Sequence, residues 1–250
     1  MAAEATQSAA VFAAAPVLSA RGSLPRDRET THPTNARRIR LLIELGLFFL
    51  VAPVLIREAI FTWRIPLPVV LQPLLLGFIG YMLWDPTFKL RRELSHRYPL
   101  PTLAAILATF VVIGGAVALW VAFDLPHRFL ALPKSNWPVW LAIMVLYPLL
   151  SVIPQELIYR TFFFHRYGPL FGSSRWLAIL INGLLFGFAH IIFGNYVSIV
   201  LTTFLGFLLA WRYDATRALW AVWLEHSLYG CLIFTVGLGH YFFTGISRLG

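Results

Sequence analysis

The sequence predicts an all-α fold, a polytopic transmembrane helical bundle of about seven spans, and three observations carry that expectation. Of its 250 residues, 59% are hydrophobic and only 12% charged, more apolar surface than a soluble domain of this length can bury. The apolar residues fall into seven runs, each judged against the roughly 20 residues needed to cross a hydrocarbon core. The Lys and Arg residues behind the net charge of +9 lie mostly in short segments between those runs, where they act as topology signals. In a soluble protein that charge would point to nucleic acid, and its placement here argues against such a partner. The single cysteine, Cys231, excludes an intrachain disulfide, and its apolar run points to packing rather than redox chemistry.

Residues 1–38 are rich in Ala, Ser, Thr, Pro and Arg and read as a disordered basic cytoplasmic tail. A cleaved signal peptide is the alternative. Glu4, the lack of an early basic region and the six arginines from Arg21 to Arg40 argue against it. A transmembrane helical domain over 39–240 follows, with a short C-terminal tail at 241–250. Its first run, Leu41 to Phe61, holds Glu44, Pro53, Arg57 and Glu58 and is expected to end near Ile56 or kink at Pro53. The second spans Leu67 to Trp84 and the third Leu103 to Phe123. The fourth begins near Trp137 and passes Pro148 and Pro154, which predict a bent or broken helix. The fifth covers Leu177 to Phe193, the sixth Tyr196 to Trp211 and the seventh Leu219 to Leu238.

With a cytoplasmic N-terminus, the basic tail, the Lys89 to Arg97 loop, the Arg160 to Arg175 segment and Arg212 with Arg217 all fall on one side. The other side holds Arg64, Arg128, Lys134 and Arg248. That asymmetry is compatible with a bacterial plasma membrane. No internal repeat supports an inverted-repeat transporter, and the second and third runs carry almost no polar face for a channel.

Chemistry concentrates in the later runs. Glu156 and Arg160 stand four residues apart, hence on one helix face, where each can neutralise the other at membrane depth. Because such charges are costly there, a functional site is one reading and a helix-locking ion pair the other. Asn182, Phe186 and His190 recur every four residues and share a face of the fifth run. Glu225 and His226 are neighbours in the seventh and point in different directions. Thr202 and Thr203 can bond back to their own helix and are given no role. His165 and His240 read as interfacial residues outside the site. A carboxylate, two imidazoles and a guanidinium from three separate runs could activate a water and hold an oxyanion. Equally, Glu156, His190 and His226 could ligate a divalent metal such as zinc, although no contiguous His-Glu-x-x-His helix is present.

The order Glu-x-x-x-Arg, Phe-x-x-x-His and a third histidine resembles the CAAX protease and bacteriocin-processing (CPBP, Abi) family of intramembrane proteases, which includes the CAAX prenyl protease 2 branch. The likeness covers roughly residues 137–240, the expected protease-like core. The family's first motif, Glu-Glu-x-x-x-Arg, is matched by Gln155 to Arg160, the second by Phe186 to His190, and the third, His-x-x-x-Asn, by His226 to Gly230. The resemblance implies that the first glutamate and the second-motif histidine activate water, while the third-motif histidine and asparagine hold the oxyanion. Gln155 therefore stands where the base is expected, and an amide takes no proton at ordinary pH. Gly230 lacks the expected oxyanion donor, a loss worth about 100-fold or more in rate elsewhere. A rearranged site would use Glu156 as base, with the Gln155 amide polarising the peptide carbonyl and Arg160 alongside; Glu225, adjacent to His226, is a poorer substitute. The expected function is an intramembrane endopeptidase cutting a membrane-anchored or hydrophobic peptide by glutamate- and histidine-activated water. The alternative is an inactive protease-like protein that binds such a peptide in an immunity or chaperone-like role.

Overall fold

The computed structural model describes residues 34–65, 67–88 and 99–243, and no strand occurs among them. Most of the expected tail, the Lys89 to Arg97 loop and residues 244–250 with Arg248 lie outside the described residues. Helix α1 runs Asn35–Phe61, α2 Leu67–Trp84, α3 Leu100–Asp124, α4 Trp137–Phe171, α5 Arg175–Phe193, α6 Tyr196–Thr216 and α7 Leu219–Val236. All but α2 are long and apolar enough to cross a membrane; the apolar stretch of α2, Leu75–Trp84, is shorter. The chain is thus an integral membrane protein by its own helices. Large apolar side chains such as Leu55, Leu76, Val111, Val112 and Leu150 stand exposed on the outside, as lipid contact requires.

The prolines bend helices here without breaking them. In α1 a wide turn at Leu47–Val51 precedes Pro53, and the helix continues to Phe61 rather than ending near Ile56. Helix α4 is continuous over 35 residues, with wide turns at Pro148–Val152 and Leu157–Phe162. Such a turn relieves the clash between a proline ring and the preceding turn. Carbonyls along the first of these bends find side-chain donors: Trp223 Nε1 of α7 bonds Pro148 O at 2.9 Å and Gln155 Nε2 of the same helix bonds Ser151 O at 3.0 Å. The Cys231 thiol faces Met144 O, the carbonyl that Pro148 leaves without an amide, so the cysteine packs as expected.

Helices α5 and α6 make the most extensive contact in the fold. Small residues permit it. A Cβ on Gly206 would sit 2.9 Å from the carbonyl oxygen of Gly183, and one on Gly187 would collide with Thr203. Because backbone cannot yield as a side-chain tip can, Gly206→Ala should destabilise the protein by about 1–3 kcal/mol. Thermal unfolding in detergent would measure this, and an unchanged midpoint would show that the seam is slack.

Helix α7 is central, touching α3, α4 and α6. Helix α6 extends a turn beyond the expected Trp211, which corrects the reading of Arg212. It is not a loop charge: it is 4% exposed and forms a bidentate pair with Glu225 at 2.8 and 2.9 Å. Thr109 of α3 donates to the same carboxylate at 2.9 Å, so three helices meet on it. Glu44 is likewise structural, holding Arg166 of α4 through two bonds of 2.9 and 2.7 Å. Thr202 and Thr203 bond back to Ser198 O and Ile199 O.

Where α2 ends, Asp85 accepts from Thr87 and lies 3.2 Å from His165 Nε2. Burial pushes the Asp85 carboxyl up, but hydrogen bonds from the Thr87 hydroxyl and amide and from His165 outweigh it and hold it below the usual carboxylate range. His165 is therefore a tie between α2 and α4, away from the cluster below. His240 contacts Arg128 near the short turn Gly239–Phe242.

Candidate active site

Three helices bring the candidate residues together: α4 carries Tyr147, Ser151, Gln155, Glu156 and Arg160, α5 carries Asn182, Phe186 and His190, and α7 carries His226 and Gly230. The Phe186 ring is the hub. Its centroid lies 4.9 Å from that of His190 and 5.5 Å from that of His226, both edge-on, and the Arg160 guanidinium sits 4.7 Å above it. The four-residue spacing of Asn182, Phe186 and His190 is realised as one buried face.

Glu156 is 0% exposed. Its Oε1 is 2.7 Å from His226 Nδ1, and its Oε2 is 3.4 Å from Arg160 Nε, an ionic contact without an aligned hydrogen bond. Arg160, also 0% exposed, donates from Nη1 to Asn182 Oδ1 at 2.6 Å, and Asn182 Nδ2 donates to Tyr159 O at 2.5 Å. The second wide turn of α4 falls on Arg160, swinging it across to α5. Carboxylate, guanidinium and imidazole are each paired in a place where an unpaired charge would be expensive.

Beside this buried row is a cavity of about 500 Å³. Gln155, His190, His226 and Tyr147 reach its wall, and Ile113, Leu201 and Phe204 make part of its apolar lining; Glu156 is not among the lining residues. His190 begins the tighter last turn of α5, His190–Phe193, and its Nδ1 is 2.7 Å from Phe186 O. A carbonyl can only accept, so Nδ1 carries the proton and Nε2 keeps its lone pair. The Gln155 amide nitrogen bonds both the carbonyl and the hydroxyl of Ser151, at 3.0 and 2.9 Å. In this structure the donor is thus engaged within its own helix.

Among the described residues no group of three or more His, Cys, Asp or Glu side chains is placed to hold a metal. Glu156 meets His226 through Nδ1 instead of sharing a centre with it and His190, so these residues do not fit the zinc set. Glu225 is committed to Arg212.

Tyr147 and Ser151 belong to none of the three sequence motifs. A signal existed: Tyr147, Ser151 and Gln155 recur every four residues, as Asn182, Phe186 and His190 do. Tyr147 Oη lies 3.2 Å from His226 Nε2. Gly230 is explained by the same ring, which occupies the volume a Cβ there would need.

Residues 135–232 match the family described as type II CAAX prenyl endopeptidase Rce1-like, under half of the chain but including every residue of the cluster. Over this stretch the chain is similar to a family described as CAAX prenyl endopeptidases. Neither curated proteins nor solved structures yield a match.

Proposed function

We propose that this membrane protein is an Rce1-like intramembrane endopeptidase that cuts a hydrophobic or membrane-anchored peptide drawn into the apolar cavity, with His190 as the group that activates water. The observation that carries this reading is His190 itself, on the cavity wall with Nδ1 tied to Phe186 O and Nε2 left as an acceptor. Water attacks the scissile carbonyl carbon while His190 Nε2 takes its proton. Collapse of the tetrahedral species breaks the C–N bond, and the same proton passes to the departing amine. Glu156 acts through His226, holding that imidazole by Nδ1 so that its Nε2 faces the cavity. Glu156, Arg160 and Asn182 are positioning residues. Gln155 presents its carbonyl oxygen to the incoming water. The basic residues of the connecting segments support a cytoplasmic N-terminus.

Protein in nanodiscs, incubated with a library of hydrophobic and membrane-anchored peptides and read by mass spectrometry, tests this. Wild type should generate new carboxyl termini, and His190→Ala should lower the rate about 100-fold or more with the unfolding temperature unchanged. The absence of a carboxylate at Gln155 on the cavity wall favours one other reading, a domain that holds a peptide without cutting it. That reading takes over if wild type binds library peptides without cleaving any, and if His190→Ala binds them as well.

A further inference from the structure

Peptide hydrolysis places a full negative charge on the carbonyl oxygen of the tetrahedral intermediate, and an enzyme needs a fixed donor aimed at it. The cavity offers few. Gln155 has turned its amide nitrogen to Ser151, and position 230 has no side chain. Tyr147 lines the cavity beside His226, its hydroxyl 3.2 Å from His226 Nε2, and the ring fits there because Gly230 leaves room for it.

Resting on the protease reading above, we propose that Tyr147 is a catalytic residue: its hydroxyl donates to the oxyanion, backed by His226 and Glu156. The three groups form a row from buried carboxylate to cavity, Glu156 Oε1 to His226 Nδ1 at 2.7 Å and His226 Nε2 to Tyr147 Oη at 3.2 Å. The Glu156 carboxylate holds Nδ1 and so fixes the ring with Nε2 at the tyrosine oxygen. The tyrosine is thereby held at the cavity wall, where its hydroxyl turns to the oxyanion once that charge forms. As water adds to the carbonyl carbon, the C=O electron pair moves to oxygen, and that oxygen accepts the Tyr147 hydrogen bond. The proton stays on Tyr147, and the bond is released when the C–N bond breaks. Tyr147 and Gly230 are one device, since any side chain at 230 would displace the ring.

Tyr147→Phe removes the hydroxyl and keeps the ring against Gly230. With the peptide that wild type cleaves best, kcat should fall about 100-fold while KM stays within about twofold. A phosphinate analogue of that peptide, which carries the oxyanion, should bind the variant weaker by a like factor, while the peptide itself binds both equally to His190→Ala backgrounds of each. A purely structural tyrosine would shift the unfolding temperature and leave the phosphinate-to-peptide affinity ratio unchanged. An unchanged kcat, or an unchanged ratio, overturns the assignment. A wild type that cleaves nothing overturns the protease reading on which it rests, which is a different result.

Discussion

Glu156→Ala should cost about 3–5 kcal/mol of stability, the range found when one member of a buried ion pair is removed. The carboxylate is fully buried and meets two partners, Arg160 at 3.4 Å and His226 at 2.7 Å. Truncation strands the Arg160 guanidinium between the Phe186 ring and Asn182 with no counter-charge, and it cuts the link from α4 to α7. The pair Glu156→Leu with Arg160→Met, which removes both charges at similar volume, should recover most of that loss. Chemical unfolding in mixed micelles measures each variant. Equal stability of Glu156→Ala and wild type would mean that the row of charges is not what joins these helices. Because the variant is expected to unfold easily, loss of cleavage in Glu156→Ala alone does not identify a base; His190 is the cleaner probe.

The second large effect lies outside the active site. Glu225→Gln keeps the shape of a side chain that is 0% exposed but leaves Arg212 without its counter-ion, and it weakens the bond from Thr109. A loss of about 3–5 kcal/mol is again expected, and it should appear as separation of α3, α6 and α7, seen as faster amide exchange near Thr109, Arg212 and Glu225. If Glu225→Gln melts with wild type, neighbouring groups or lipid must satisfy Arg212. Comparing the two carboxylates also separates stability from chemistry: at matched temperatures below both transitions, Glu225→Gln should retain cleavage and Glu156→Ala should not.

Much of this was legible in one dimension. Apolar runs mark helices because lipid leaves the backbone no other way to satisfy itself, and a four-residue spacing marks a shared face because 3.6 residues make a turn. Those two rules placed the helices, paired Glu156 with Arg160 and aligned Asn182, Phe186 and His190. Gly230 looked like a lost donor because a sequence shows what a position lacks and not what neighbour fills the space. Arg212 looked like a loop charge because helix ends depend on capping and packing, and here Arg217 in a left-handed conformation closes α6 five residues later.

The sequence by itself determined the membrane class, the helices and the identity of the motif side chains, since all of these follow from composition and local periodicity. Only the tertiary structure decided that Glu156 is buried behind His226 while His190 faces the cavity, that Gln155 bonds its own helix, and that Tyr147 stands in the space beside Gly230. Those outcomes depend on how α4, α5 and α7 rotate about their axes. Two wide turns in α4 and the close approach of small residues between α5 and α6 set that rotation, and neither is encoded in a hydropathy period.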